Sequence, residues 1–311
     1  MKTNSPLPSQ SRLLPSTLAA LVGIQVAFAF NYLFSKIVMK AIPPLVWGNL
    51  RAALAAIVLT SLLLLTGNFN WKEAWAVKKQ LFIFSFLGVA VNQAAFLAGL
   101  NLTTTTNSAL INTMIPIFTV LWVTLGKEEK LSWYRWIGLC LAFLGVILLR
   151  DLSRFSFSHS TYRGDALSLL NSFCYSIFLA KSSRFFKGRE VLWTTTWLFI
   201  CGSLWLTVVA IPQWPSLDPT LITPRVILFA LLGVVVGTCI PYVLISYALG
   251  RTQSSIVSQF IYLQALLATL LGYFFLGESI TMKTLFSGAL IFLGLYLSIS
   301  KIPFGIQLIK K

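Results

Sequence analysis

Acidic residues are scarce in this chain. Only 8 Asp and Glu stand among 311 residues, charged residues of both signs make up 10%, and there are one histidine and four cysteines. Each scarcity excludes something. His159 lies alone in a hydrophilic stretch, so a histidine-based metal site or catalytic triad has no material to work with. Cys140, Cys174, Cys201 and Cys239 fall separately inside apolar runs with no CxxC spacing, and are expected as small buried apolar residues. No cofactor and no metal are expected. An intramembrane hydrolase would need a nucleophile with a base or a pair of embedded acids, so enzymatic activity is not expected either.

What the chain has in abundance is apolar surface. Hydrophobic residues reach 57% and the mean hydropathy is +0.82, against about 45–50% apolar and about 25% charged residues in soluble domains. The 24 Lys and Arg outnumber the acids to give +16. They lie between long apolar runs and form no stripe on one face, so they label membrane topology and do not indicate a nucleic-acid partner.

A membrane helix needs about 20 mainly apolar residues. Ten candidate spans answer to this, approximately 17–38, 45–66, 79–100, 103–125, 131–149, 164–184, 191–211, 224–249, 252–276 and 279–300. Turn chemistry or charge marks most joints, as at Pro43-Pro44, Gly67-Asn68 and Lys187-Gly188-Arg189. The least distinct joint is the uncharged stretch Asn101 to Asn107. The expected fold class is an all-α integral membrane protein. An even number of spans places both termini on one side. That side would carry Lys72, Lys78, Lys79, Lys127, Lys130, Arg135, Lys181, Arg184, Lys187 and Arg189 among others, twice as many Lys and Arg as the rest of the chain, which makes it the cytoplasm. Lys2 and Arg12 ahead of an apolar run with Ala27-Phe28-Ala29 give the first span the outline of a signal peptide, but its removal would break an internal repeat.

That repeat spans about half the chain. Leu87-Gly88-Val89 recurs as Leu232-Gly233-Val234, Phe143-Leu144-Gly145 recurs as Phe292-Leu293-Gly294, and Glu129 falls opposite Glu278. The chain divides into a cytoplasmic segment 1–16, a first copy 17–150, an external linker 151–163, a second copy 164–300 and a basic cytoplasmic tail 301–311. Five spans per copy force the two copies into opposite orientation. Inverted pairs of this kind are a signature of secondary transporters.

The motifs themselves resemble those of the drug/metabolite transporter superfamily, in particular its EamA-domain branch. The segment from Phe28 through Asn31 to Lys36, then Pro43-Pro44, then Leu50-Arg51-Ala52 is similar to the opening of that family's first repeat, and Gly164-Asp165 to the opening of the second. Tyr262-Leu263-Gln264 and Leu276-Gly277-Glu278 resemble the close of the ninth span. The resemblance runs from Leu18 to Ser300. One departure is Ala265, where the family has proline; Pro116 keeps it in the first repeat. The ninth span is therefore expected to be straighter than the fourth. The resemblance implies a central cavity lined by the first, third, fourth, sixth, eighth and ninth spans, and a small-metabolite substrate, plausibly an exported amino acid, in a bacterial inner membrane. The chain would work as a monomer or homodimer.

Polar residues inside spans should face other helices or a wet cavity. At 100° per residue, Gln25, Phe28, Ala29, Asn31, Tyr32, Ser35 and Lys36 share one arc of the first span. Ser254, Ser255, Ser258, Gln259, Tyr262, Thr269 and Tyr273 share one on the ninth, with Gln264 pointing elsewhere. Thr105, Ser108, Asn112, Pro116 and Thr119 align on the fourth, and Ser85, Gly88, Asn92 and Gly99 on the third. The candidate substrate-binding residues are Gln25, Asn31, Tyr32, Asn92, Asn112, Asn171, Tyr175, Tyr242, Gln259 and Tyr262. For any one of these, substrate contact and plain helix-to-helix bonding stand equally open. Gly138, Gly145, Gly233, Gly237, Gly288 and Gly294 read as close-packing positions.

Charges inside the spans are all basic. Lys181 is expected to snorkel to the interface. Arg51 needs carbonyls, water or a substrate carboxylate, and a structural tie to the first external loop is the preferred reading. All eight acids lie in loops or at span ends, so none is placed to exchange a proton for a cationic drug within the membrane. A neutral or zwitterionic solute suits this lining. Two competing readings remain: a sugar-phosphate or nucleotide-sugar carrier, which should place Lys or Arg deep in the ninth or tenth span where this chain has only Arg251 and Lys283 at the ends, and a non-transporting membrane protein.

Overall fold

A computed structural model describes residues 14–129, 131–149, 161–276 and 281–299. His159, Asp151, Glu278, the terminal segments and most of the linker 151–163 lie outside the described residues, as do the side chains of Thr105, Thr269 and Tyr273. The described residues are 86% helical, with no strand among them. Among the described residues, seven helices are long and apolar enough to cross a membrane.

Capping chemistry sets the boundaries. Helices α1 (Pro15–Val38) and α2 (Pro44–Leu65) each begin with proline, which needs no N–H partner in a first turn. Gly67, at φ +70°, turns the chain out of α2. The short α3 (Trp71–Ala76) is capped by the Asn70 side chain, which accepts from Glu73 N at 3.1 Å. The third long helix combines α4 (Lys78–Ser85), a π-helical segment Phe86–Val91 and α5 (Asn92–Leu102). The indistinct joint resolves at Thr103 and Thr104. Both are extended, and Thr104 Oγ1 caps α6 (Thr105–Asn112) through Asn107 N at 3.0 Å.

Thr113 separates α6 from α7 (Met114–Leu125). Pro116 explains the break, since its ring clashes with the carbonyl four residues back, that of Asn112. Next come α8 (Trp133–Leu149), α9 (Tyr162–Phe186) and α10 (Val191–Ala210), the last capped by the Glu190 carboxylate. Then α11 (Pro224–Val234), a second π-helical segment Val235–Cys239 and α12 (Ile240–Leu249) form one continuous rod. Phe260 interrupts the next helix, dividing α13 (Ser254–Gln259) from α14 (Ile261–Leu276), and α15 (Met282–Ile299) closes the described chain. The ninth span, expected straighter than the fourth, is thus interrupted as the fourth is. Without a proline, Leu263 N bonds the Phe260 carbonyl at 2.9 Å in a tightened i→i+3 turn at the interruption.

Helix α9 is long but too polar to count among the seven, with Arg163, Asp165, Lys181 and Arg184 along it. It packs against α5, α6, α7, α12 and α13, which bury Ser168, Asn171, Ser172 and Ser176 and leave Leu169, Leu170 and Phe173 exposed, so the buried face carries polar residues. Among the other contacts, α2 packs on α10, α8 on α15, and α1 on α12 and α14.

The glycines mediate the closest approaches. A Cβ on Gly138 would lie 2.6 Å from the Gly294 carbonyl oxygen, and one on Gly294 would lie 2.5 Å from that of Gly138. Helices α8 and α15 therefore touch backbone to backbone. Gly145 meets the Ser287 carbonyl likewise, whereas Gly288 has only ordinary contact with Leu266. Of the four cysteines only Cys239 is buried; Cys140 is exposed and Cys174 and Cys201 are half-buried. That corrects the expectation of four buried thiols. On an apolar outer face, cysteine is as compatible with lipid as with a core.

Candidate functional site

A cavity of about 90 Å³ lies among α1, α2, α5, α6, α7, α9, the second π-helical segment, α12, α13 and α14. Its wall includes Gln25, Asn31, Tyr32, Asn92, Asn112, Asn171, Tyr175 and Tyr242, eight of the ten residues picked from the sequence. The local geometry explains why they converge. On α1 the buried and half-buried side chains recur at helical spacing, so Gln25, Phe28, Asn31 and Tyr32 share a face. Lys36, assigned to the same arc, is exposed, because a helix-end lysine reaches water more cheaply than a cavity.

Three asparagines from three helices form a relay. Asn92 Nδ2 donates to Asn171 Oδ1 at 2.9 Å, Asn171 Nδ2 to Asn112 Oδ1 at 3.0 Å, and Asn112 Nδ2 to Tyr32 Oη at 2.8 Å. Tyr242 Oη lies 3.0 Å from Asn92 Oδ1 and 3.0 Å from the carbonyl of Gly88. That carbonyl lies inside the first π-helical segment, whose wide i→i+5 turns depart from the α-helical hydrogen-bond pattern. The equivalent carbonyl in the other rod, Gly233, accepts from Thr238 Oγ1 at 2.9 Å. The recurring Leu-Gly-Val motif lies inside the first π-helical segment and directly ahead of the second, and each of its glycines admits an aromatic ring. A Cβ on Gly88 would meet Phe178 at 2.5 Å, and one on Gly233 would meet Trp47 at 2.8 Å.

Arg51 forms the other polar side of the wall. It is 3% exposed. Its Nη1 donates to Asn31 Oδ1 at 2.8 Å and Ser35 Oγ at 3.3 Å, and its Nε and Nη2 donate to Gln93 Oε1 at 3.1 and 3.0 Å. Every one of these acceptors is neutral, and no carboxylate pairs with Arg51 among the described residues. The preferred sequence reading, a tie to the first external loop, is not what these bonds do: they join α2 to α1 and α5. Gln93 was missed as a partner. Its signal is adjacency, since the residue after Asn92 is turned about 100° from it, toward α2.

Gln259 and Tyr262 do not line the cavity. Tyr262 is buried against α8, with its ring 6.3 Å from that of Phe143. Gln259 is buried as well. Val257, Ile261 and Gln264 face the cavity instead. The polar arc on the ninth span was real, but α14 packs on α8 and α15 as well as α1, so a buried face there is not necessarily a cavity face. Gln264, set aside in the projection, is the polar residue that α14 contributes. Phe96 and Gly237 are further additions, beside the apolar Ile24, Ile115, Leu179 and Ile245. Gly237 leaves room for Asn31, whose Oδ1 would lie 2.6 Å from a Cβ there.

Ties between elements cluster where α7, α9, α12 and α13 meet. Lys181 Nζ pairs with Glu128 Oε1 at 2.6 Å, Arg135 Nη1 donates to Gln253 Oε1, and Ser183 Oγ donates to the Leu249 carbonyl at 3.1 Å. Lys181 is thus ion-paired and does not merely snorkel. The Ser255 hydroxyl and backbone N–H both donate to the Glu129 carboxylate. Burial raises the Glu129 pKa above its ordinary value, against the opposing pull of Ser255, Ser254 and Arg135. At the opposite end of α9, Asp165 accepts from Thr103 Oγ1 at 2.6 Å and from Asn107 Nδ2 at 3.1 Å.

Comparison with known proteins places this geometry. The profile of the EamA-like transporter family matches the chain twice, over residues 16–150 and 162–300. An uncharacterized transporter of Archaeoglobus fulgidus is 25% identical over 280 residues, covering 88% of this chain and 94% of that protein. A WAT1-related protein of Arabidopsis thaliana is 26% identical over 314 residues, covering 89% and 82%. A solved crystal structure superposes with a TM-score of 0.76 at 17% identity, over 93% of this chain and 97% of that one, which speaks for the fold alone.

Proposed function

The chain belongs to the EamA-like transporter family and is a multi-pass membrane transporter, and from that premise we propose that it is a carrier that moves small neutral or zwitterionic metabolites by alternating access. The observation that carries this reading is the relay-lined cavity at the meeting of helices from both halves of the chain. Amino acids or related compounds, exported across a bacterial inner membrane with both termini cytoplasmic, are the substrates and setting we infer.

The inverted repeat is part of this proposal. It is supported by the double match of the family profile and by the way irregularities recur at half-chain distance. The π-helical segments begin at Phe86 and Val235, and the breaks fall at Thr113 and Phe260. The packing follows the same pattern: α2 against its counterpart α10, α8 against its counterpart α15, and α1 on α12 as α9 on α5. Ten spans follow if α8, α9 and the interrupted α13–α14 cross as well. The first of these is apolar but only 17 residues long, the second is polar on its buried face, and the third is broken at Phe260. Two halves of opposite orientation supply two similar packings of one core, and exchange between them exposes the cavity to one side and then the other. A sugar-phosphate carrier is the weaker reading, because the wall holds one cation, Arg51, where a phosphate dianion calls for more.

The test is counterflow in liposomes holding the purified protein, with a panel of neutral and zwitterionic solutes. A carrier accelerates uptake when the same solute is present on the far side, and Asn31→Ala lowers that rate. Uptake indifferent to trans solute would mark a pore, and exchange of triose phosphate without amino acids would favour the phosphate reading.

A further inference from the structure

We propose that Arg51 and Asn31 form the seat of a single carboxylate on the transported solute, so that a carboxylate is required for recognition and an ammonium is not. The inference rests on reading the cavity as the solute path, and redraws the solute class there: zwitterionic amino acids stay in it, monocarboxylate anions join them, and neutral solutes without a carboxylate leave it.

The argument is one of charge and donors. Arg51 lines the cavity, is 3% exposed and keeps its charge under ordinary conditions. Its four hydrogen bonds go to two amide oxygens and a hydroxyl, which satisfy donors without neutralising charge. A buried cation without a counterion is costly, and an anion held beside it relieves that cost. A guanidinium has five N–H groups, so one remains for a ligand among the described residues. Asn31 supplies a second donor. Its Oδ1 is engaged by Arg51 and Ser35, which orients its Nδ2 hydrogens away from both, and it too lines the cavity beside Gly237.

The remainder of the wall selects against further charge. No acid lines the cavity, so nothing there demands an ammonium, and no second cation is present for a dicarboxylate or a phosphate dianion. Gln25 Oε1 is unpartnered in a side chain 1% exposed that lines the same cavity. This carbonyl can accept from a solute hydroxyl or from an ammonium equally. Amino acids, 2-hydroxy acids and 2-oxo acids of small size fit these terms; their amides and the matching amines do not.

The experiment uses the full-length protein in detergent and in liposomes. Thermal stabilisation is measured with millimolar alanine, leucine, lactate and pyruvate, and with alaninamide, leucinamide, lactamide and ethylamine; sodium chloride at the same ionic strength is the anion control. We expect stabilisation by the carboxylates and none by the amides or the amine, with about 10- to 100-fold weaker carboxylate binding in Arg51→Gln. Arg51→Lys, which keeps the charge and loses the planar fork, should bind with intermediate strength. Equal stabilisation by acid and amide, stabilisation by chloride as large as by the carboxylates, or no response to any carboxylate overturns the inference. The wild-type comparison decides this even if the variants fail to fold. Counterflow separates the two readings: carboxylate binding that depends on Arg51 without counterflow sinks the carrier and spares the seat, whereas counterflow that ignores the carboxylate sinks the seat and spares the carrier.

Discussion

Asn112 serves three neighbours with one side chain: it donates to Tyr32 and accepts from Asn171 and Ser172. Its replacement by leucine strands the buried Asn171 Nδ2, whereas the Ser172 hydroxyl keeps the carbonyls of Ile111 and Ser168 at 3.2 and 3.0 Å, and a stranded polar group costs about 1–3 kcal/mol. Asn112→Leu should therefore lower the thermal midpoint measured in detergent and should slow counterflow, more than Tyr242→Phe, which leaves the Asn92 to Asn171 bond in place. Gln259 presents the opposite case. Both of its side-chain polar atoms are buried without a partner, so wild type already bears that cost and a leucine of similar volume relieves it. Gln259→Leu is expected to raise the thermal midpoint; a fall would show that the amide is bonded after all.

At the scale of elements, α8 and α15 meet through small residues, and the contact tolerates nothing larger. Gly138→Val would push a side chain into the Gly294 carbonyl and Ser298, and overpacking of this kind costs about 1–3 kcal/mol. Gly288→Ala, which meets only a leucine methyl at 3.4 Å, should be nearly neutral, and thermal unfolding of the two variants side by side checks the difference. The junction of the α7–α8 turn with α13 carries a pH prediction. Burial raises the Glu129 pKa, so the folded protein holds that proton more tightly than the unfolded chain does. Stability then falls as pH rises from the ordinary carboxylate range through the raised folded value. Glu129→Gln keeps an acceptor for Ser255 and loses the titration. Its midpoint should vary less than that of wild type as pH rises above the ordinary carboxylate range, and an unchanged slope would assign the effect to another group.

For the whole molecule, the alternating access proposed above would require the ties among α7, α9, α12 and α13 to break and reform. The Lys181–Glu128 pair is partly exposed, at 40% and 13% of the side chains, so its contribution to stability is small, about 0–1 kcal/mol. Its expected effect is on the rate of exchange between packings. Lys181→Glu places like charges together and should change the counterflow rate severalfold with little change in thermal midpoint, and adding Glu128→Lys should restore it. A double variant no closer to wild type than the single one would remove this pair from the gate.

The sequence by itself determined the helical membrane class and most helix boundaries, because apolar length and turn residues act within one segment. It also marked Asn31, Asn92, Asn112 and Asn171 for the interior, since an amide has no place against lipid. Tertiary packing decided which interior face was cavity. Tyr262 faces α8 and Gln264 the cavity, and no projection of one helix can show this when neighbours flank it on several sides. Packing also made Arg51 a member of the cavity wall, held by Gln93 and Asn31 from two other helices. A charge in a sequence carries no record of whether a counterion stands beside it; the three-dimensional neighbourhood supplies that, and here it supplies only neutral acceptors.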